Sequence, residues 1–305
     1  MSRLAVAAAR PDQYAAALRV AFGHLAAAER DGRVANALAL IDAGELDPAG
    51  LLMALGPRGA LWGAMLCQAM AGANGLLWPP NPAPGAPAGP VADALVRHAA
   101  GWLRSSGVKL AQAFVPEADE ALTDPLPRNG FPHVTDLVHL RNDLDPADPP
   151  AADAGPFRWR TYARCDADRF HRTLLATYED TLDCPEINGA RSLDEVLAGL
   201  RSDGFDPDRW WLLERGGEPV GVLVLSAPAG AAAWELAYLG VVPAARGTGC
   251  GRALVARALA AARAGGAGGL SLFVDARNAP ALRLYRAAGF HVCDRWKVFL
   301  AVWRD

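Results

Sequence analysis

Three dipeptides recur along this chain at one fixed spacing. Leu95-Val96 is matched by Leu254-Val255, Phe114-Val115 by Phe273-Val274, and Gly130-Phe131 by Gly289-Phe290. The differences 254 minus 95, 273 minus 114 and 289 minus 130 all equal 159. A single offset held across several apolar and glycine positions predicts that one supersecondary unit occurs twice. The 305 residues suit two domains of roughly 150, and an apolar fraction of 52% can furnish a core for each. Between the copies, Asn142 to Pro156 is rich in Asp, Pro and Ala and has no apolar period, so it reads as a linker. Domains are therefore expected at 1–145 and 157–305.

The C-terminal half alternates strand-like and helix-like runs. Phe157 to Ala163 reads as a strand, Asp168 to Leu182 as a helix, and Ser192 to Leu200 as a second helix opened by a Ser-x-x-Glu capping box. Trp210 to Glu214 and Pro219 to Ser226 flank Gly216-Gly217, the pattern of a hairpin. Trp234 to Val242 is the next strand, Leu270 to Val274 follows a long alanine-rich helix, and a final strand pair is expected within Phe290 to Trp303. The fold class is α/β, with a twisted mixed sheet flanked by helices in each domain.

The chemistry is concentrated at Arg246-Gly247-Thr248-Gly249-Cys250-Gly251, between a strand and the helix beginning near Arg252. The first amides of a helix have no intrahelical acceptor, and the helix dipole favours an anion there. Glycine lets the backbone approach a phosphate closely, and Arg246 can add a charged donor. No Gly-Lys-Ser/Thr follows, and the glycine spacing is not G-x-G-x-x-G, so neither a P-loop nor a dinucleotide fingerprint is present. In the N-terminal copy the offset puts Pro87, Pro90 and Ala92 where Arg246, Gly249 and Gly251 stand. Prolines remove amide donors, so that copy cannot cradle a pyrophosphate in the same way.

A strand, R-G-x-G-x-G, a helix, a strand, Asn278, a helix carrying Tyr285, then Gly289-Phe290: over about Trp234 to Val298 this order resembles the acetyl-CoA-binding core of the GNAT acyltransferase superfamily. Two such domains in tandem, active in the second, resemble the arrangement of the mycothiol synthase family. The resemblance implies a degenerate N-terminal GNAT-like domain and a C-terminal domain that binds acetyl-CoA. It implies cofactor contacts from Leu239, Gly240, Val241 and Val242, from Arg246, Gly247, Thr248, Gly249, Cys250, Gly251 and Arg252, and from Asn278 and Tyr285. The implied reaction is direct transfer of an acetyl group to a primary amine, most simply of a small molecule. A peptide or protein acetyltransferase and a noncatalytic acyl-CoA-binding scaffold are the other readings.

Thioester aminolysis needs a neutral amine, donors for the carbonyl oxygen and a proton for the thiolate. Backbone donors before the glycine loop suit the carbonyl, each typically worth about 3 to 4 kcal/mol. Tyr285 matches the position of the family's frequent general acid, and is equally explained as a core residue of an amphipathic helix. Asn278 suits an N-cap as well as a cofactor contact. Glu235, acidic in an apolar strand, is the candidate base, against a simple solvent-facing glutamate. Tyr178, Glu179, Asp183 and Glu186, with Glu235, are the candidate acceptor contacts, their carboxylates suiting a cationic amine; a solvated charged loop is the alternative. Cys184 has no nearby histidine to activate it, and Cys250 is expected to pack inward.

A net charge of -3 and a pI near 6.1 exclude the basic face that nucleic acid requires. Five cysteines without C-x-x-C spacing suggest neither a disulfide framework nor a zinc site, and the histidines lack metal-ligand spacing. No apolar run approaches the roughly 18 residues of a membrane span, and the N-terminus lacks a secretory apolar segment. A cytoplasmic protein without a metal or a membrane partner is expected.

Overall fold

The computed structural model describes residues 4–144, 156–202, 204–227 and 232–304. Most of the expected linker, 145–155, lies outside the described residues. The chain forms two compact units: Met1–Val134 with Lys297–Asp305, and Thr135–Trp296.

The first unit runs β1 (Ala5–Ala8), α1 (Tyr14–Ala21), α2 (Ala27–Asp42), β2 (Leu51–Leu55), β3 (Leu61–Met70), β4 (Asn74–Leu77), β5 (Asn81–Pro82), α3 (Ala88–Ser105), β6 (Leu110–Pro116) and α4 (Pro125–Arg128). Its strand order is β1-β2-β3-β4-β6, with β5 paired to β3. All neighbours are antiparallel except β4 and β6. Buried side chains of α3, Val91, Ala92, Leu95, Val96, Ala99 and Leu103, recur at helical spacing and form one face of the core.

Strand β7 (His133–Asn142) leads into the second unit, which continues β8 (Phe157–Thr161), α5 (Ala167–Thr177), α6 (Leu193–Arg201), β9 (Trp210–Arg215), β10 (Glu218–Ser226), β11 (Trp234–Val241), α7 (Cys250–Ala264), β12 (Leu270–Asp275), α8 (Ala279–Ala287) and the start of β13 (His291–Val302), whose residues from Lys297 onward belong to the first unit. The order is β7-β12-β11-β10-β9-β8, and only β11 and β12 are parallel. Alternate β10 residues serve two cores. Leu223 and Leu225 join the cluster with Leu254, Val255 and Ala258 of α7; Val222 and Val224 join Phe170, Leu174 and Leu197 of α5 and α6. Each fully buried Leu or Phe stabilises the unit by roughly 1.5 to 3 kcal/mol.

The repeat survives at the level of strand register. Leu76 pairs with Gln112 in the parallel β4-β6 ladder, and Glu235 pairs with Ser271 in the parallel β11-β12 ladder, each residue displaced by the same 159 positions. The Gly-Phe pairs are matching helix caps. Gly130 and Gly289 have φ of 91° and 83°, and Phe131 and Phe290 each return their amide to the carbonyl five residues back, Leu126 and Tyr285, at 3.0 Å.

Three local expectations need adjustment. The helix expected to reach Leu182 ends at Thr177, whose Oγ1 bonds back to the Leu174 carbonyl, and Asp180 adopts φ 49°. The final strand pair is instead one twelve-residue strand, β13; no Gly, Pro or Asn interrupts His291–Val302 to supply a turn. Helix α7 begins at Cys250, ahead of Arg252. The Gly216-Gly217 hairpin is as expected, both residues having positive φ (61° and 89°) as a two-residue type I′ loop demands.

Candidate active site

Gly247 and Gly249 sit in the left-handed region at φ 75° and 90°, and no heavy atom lies within 4 Å of where a Cβ would stand on either. Gly249 is the N-cap of α7 and offers no side-chain acceptor; the first turn contains no acid. The first backbone bond into the helix is from the Ala253 amide to the Gly249 carbonyl at 3.1 Å. The amides of Cys250, Gly251 and Arg252 therefore have no intrahelical acceptor at the positive end of a fifteen-residue dipole. An open backbone and uncapped donors fit a pyrophosphate.

The loop's side chains serve other ends. A Cβ on Gly251 would stand 3.1 Å from Leu284 Cδ2, so this glycine allows α8 to pack close to α7. Thr248 Oγ1 donates to the Ala245 carbonyl and accepts from Arg215, both at 2.7 Å. Cys250 is buried in the core and Arg252 is exposed. The Arg246 guanidinium donates to four carbonyls: Val241 and Asp180 at 3.1 Å, Thr177 at 3.2 Å, and Glu179. Four of its five N–H groups thus tie the end of α5 to the end of β11.

Beside the loop the sheet divides. Strands β11 and β12 pair only at Trp234–Leu270 and Glu235–Ser271, although β11 continues to Val241 and β12 to Asp275. From Leu236 onward β11 keeps its β10 ladder on one edge and has no β12 ladder on the other. The β10 register also shifts between Val224 and Leu225, leaving Ala237 as an extra residue. Between the parted strands lies a cavity of about 220 Å³. Its walls are Leu236 to Val241 of β11, Phe273 and Val274 of β12, Asn278, Pro280, Ala281, Leu284 and Tyr285 of the α8 region, Thr177 at the end of α5 and Asp180 to Asp183 beyond it. Ligands of open α/β sheets bind at such carboxyl ends of parted parallel strands.

Tyr285 reaches this cavity from the core. It is only 6% exposed, its ring meets Phe290 edge-on at 5.7 Å, and its hydroxyl bonds to no other described residue. Burial, with the Asp183 carboxylate nearby, holds its pKa well above that of an ordinary phenol. Asn278 caps α8 by accepting from the Ala281 amide at 3.2 Å and also lines the cavity. Leu239, Gly240 and Val241 line it as well, whereas the Val242 amide donates to Val220 at 3.1 Å. A Cβ on Gly240 would overlap Thr177 and Tyr238, so glycine is required there by packing.

The acidic segment after α5 is divided between cavity and scaffold. Asp183 lines the cavity; Oδ1 accepts from the Asp275 amide at 2.8 Å. The residue as a whole is exposed, but protein crowds its carboxyl, and that desolvation, reinforced by the Asp275 charge, shifts its pKa upward against the opposing effect of that hydrogen bond and of Arg277. Glu186 is engaged by Arg277 through two bonds of 2.6 and 2.9 Å, which hold its pKa low. Glu179 is exposed. Tyr178 meets Tyr238 edge-on at 5.4 Å, and burial pushes its phenol up to about 12. Glu235 stands on the paired stretch of β11, just before the cavity lining begins. Burial and three neighbouring carboxylates raise the Cys184 thiol far above its usual range, so it stays protonated.

Several residues were not foreseen. Asp275 is fully buried and accepts from Thr135 (2.6 Å), from the amides of Cys184 (3.0 Å) and Arg277 (2.8 Å), and from the Arg277 guanidinium. Burial alone would raise its pKa, but these donors outweigh it and hold the carboxyl below the ordinary value. Tyr238 donates to Thr177 at 2.7 Å, a direction fixed because Thr177 spends its proton on Leu174. The only signal available for the first group was D-A-R at the end of a strand.

Residues 174–290, within the second unit, match the Acetyltransferase (GNAT) family model. Two curated relatives are both called mycothiol acetyltransferase. The protein from Acidothermus cellulolyticus is 34% identical over 178 residues, 53% of this chain and 53% of its own length. That from Beutenbergia cavernae is 36% identical over 173 residues, 53% of this chain and 57% of its own. The chain thus spans about half the length of the curated relatives it matches. Among solved structures, a GCN5-related N-acetyltransferase from Sphaerobacter thermophilus aligns with a TM-score of 0.65 at 20% identity, covering 99% of this chain and 96% of the other. A tandem GNAT protein from the clavulanic acid biosynthesis pathway aligns with a TM-score of 0.53 at 16% identity, over 99% and 98%. At these identities the likeness is one of fold.

Proposed function

We propose that this protein is an acetyl-CoA-dependent N-acetyltransferase that moves an acetyl group directly to a primary amine of a small molecule. The observation that carries the reading is the parting of β11 from β12 beside an uncapped α7, with Tyr285 opening into the gap. The amides at Cys250 to Arg252 and the left-handed Gly247 and Gly249 would hold the pyrophosphate. The free edge of β11 at Leu239 to Val241 would receive the pantetheine arm and the thioester carbonyl. Acetyl-CoA supplies the activated acyl group. Tyr285 would give a proton to the departing sulfur, and Asn278 would fix the start of the helix that carries it. Two carboxylates are candidates for the ammonium proton, Glu235 on β11 and Asp183 on the cavity wall; Tyr178 and the segment to Glu186 form the acceptor side. The names of the relatives support a small-molecule amine over a peptide. Five free cysteines support a cytoplasmic setting.

Calorimetric titration of acetyl-CoA, followed by thiol release with a panel of primary amines, tests the reading. One site per chain and release of CoA with at least one amine are expected. Binding without release for any amine would leave an acyl-CoA-binding scaffold, and absence of binding would remove the cofactor itself.

A further inference from the structure

On its α5 side the cavity between β11 and β12 meets an aromatic ring. Tyr238 lines it together with Thr177. Residues 238 and 240 share one face of β11, and a Cβ on Gly240 would come within 2.7 Å of the Tyr238 hydroxyl, so the tyrosine side chain lies along the strand and over that glycine. The hydroxyl donates to Thr177 Oγ1 at 2.7 Å, and the ring meets Tyr178 edge-on at 5.4 Å. Thr177 is fixed in turn. It is 4% exposed, its Oγ1 donates to the Leu174 carbonyl at 2.6 Å, and its own carbonyl accepts from Arg246 at 3.2 Å. A ring held both at its hydroxyl and by a neighbouring ring forms a fixed wall.

The two faces of β11 serve different cores. Leu239 and Val241 pack on the core that contains Leu254 and Val255 of α7, whereas Tyr238 packs on the core of Phe170, Leu174, Val222 and Val224 beneath α5. Val224 is its direct partner on β10. The uncapped amides of α7 belong to the first face, and the gap between the parted strands leads to the second. A thioester with its pyrophosphate at α7 and its carbonyl on the free edge of β11 carries its acyl group toward the face that Tyr238 covers. We propose that Tyr238, pinned by Thr177, is the end wall of the acyl site and restricts the transferred group to acetyl. The assignment rests on the acetyltransferase reading above.

What lies behind the ring decides how it acts. Phe170, Leu174, Val222 and Val224 are fully buried and apolar. With the ring in place, each methylene beyond acetyl has to push a pinned side chain into a packed core, which is unfavourable. With the ring shortened, the same space is apolar and accepts the chain, and a buried methylene is worth about fourfold in affinity. The wall is also uncharged, because burial holds the Tyr238 phenol far above its usual range. Glycine at 240 belongs to the same device, since a side chain there would displace the hydroxyl from Thr177.

The test is a graded series, Tyr238→Phe, Tyr238→Leu and Tyr238→Ala, with Phe273→Ala as the control on the β12 wall and urea unfolding as the check of the fold. The readout is the calorimetric Kd for acetyl-CoA, butyryl-CoA and hexanoyl-CoA, followed by relative kcat/KM for CoA release with glucosamine, spermidine or tyramine as acceptor. The parent is expected to bind acetyl-CoA about tenfold or more tighter than butyryl-CoA, and Tyr238→Phe and Phe273→Ala should keep that order. Tyr238→Leu and Tyr238→Ala should invert it, with butyryl-CoA tighter than acetyl-CoA by up to about 15-fold, fourfold for each of two methylenes. A general loosening of the fold would weaken all three ligands together, so inversion isolates the wall; should the alanine variant not fold, the leucine variant carries the test. The assignment is overturned by a parent that binds butyryl-CoA as tightly as acetyl-CoA, by an unchanged order in folded Tyr238→Leu, or by inversion in Phe273→Ala instead. A parent that binds none of the three sinks the acetyltransferase reading first and this assignment with it.

Discussion

Phe290 donates its backbone amide to the carbonyl of Tyr285 at 3.0 Å, so the residue that closes α8 also fixes the last turn beneath the tyrosine. The bond requires Gly289 at φ 83°, where an L side chain is strained by roughly 1 to 2 kcal/mol. A Cβ there would also meet Asn142 Nδ2 at 3.1 Å, whereas Gly130, at φ 91°, has no neighbour within 4 Å. Gly289→Ala is therefore expected to cost more than Gly130→Ala, about 2 against about 1 kcal/mol in urea unfolding. Equal costs would show that the Asn142 contact yields freely.

The same pair of caps shows what the amino-acid order carries. Gly-Phe after an amphipathic helix is a local signal, as are the Ser192 capping box and the Gly216-Gly217 hairpin, because each is settled within a few residues. The parallel register was legible through the repeat, since Leu76 and Glu235 hold equivalent places. The destination of Arg246 was not: its acceptors at 177 to 180 lie 66 to 69 residues away, and nothing local distinguishes a carbonyl cage from a phosphate clamp. Nor could the division of labour between Asp183 and Glu186 be read in advance, since it depends on Asp275 and Arg277 arriving from 91 or 92 residues further on.

Arg246 is expected to matter for the fold of the acceptor segment as well as for any ligand. Its four carbonyl contacts hold the chain where α5 stops, and hydrogen bonds from a charged donor are worth more than neutral ones even when partly exposed. Arg246→Ala should lower stability by about 1 to 2 kcal/mol in urea unfolding, and Arg246→Lys should recover little, because an ammonium cannot span the fork of a guanidinium. Hydrogen exchange should quicken at 178–183 in both variants. Full recovery in the lysine variant would reduce the role to charge alone.

Tyr285→Phe removes a hydroxyl with no protein partner among the described residues, so the core should tolerate it. If the phenol protonates the leaving sulfur, kcat falls by about 10²-fold, close to 3 kcal/mol in the barrier, with acetyl-CoA affinity unchanged. A fall in affinity with unchanged kcat would make the hydroxyl a binding contact instead.

Arg277 joins Asp275, which is fully buried, to Glu186, and its removal should be felt differently at different pH. Both carboxylates have folded-state pKa values below their ordinary ones, Glu186 chiefly through Arg277, and Asp275 because the Arg277 side chain, Thr135 and the amides of Arg277 and Cys184 together outweigh burial. A depressed carboxylate contributes stability that is present above its unfolded pKa and is lost as pH falls through its folded pKa. Arg277→Leu relaxes both depressions. The loss should be about 2 to 3 kcal/mol at pH 7, less than for a fully buried pair because the Arg277 side chain is 43% exposed. The gap between parent and variant should then narrow as pH drops below about 4, where the unfolded carboxylates take up protons. Urea unfolding at pH 7, 5 and 3 measures it directly. A gap that stays constant across that range would mean that Arg277 acts through packing of its stem and not through the charges it joins.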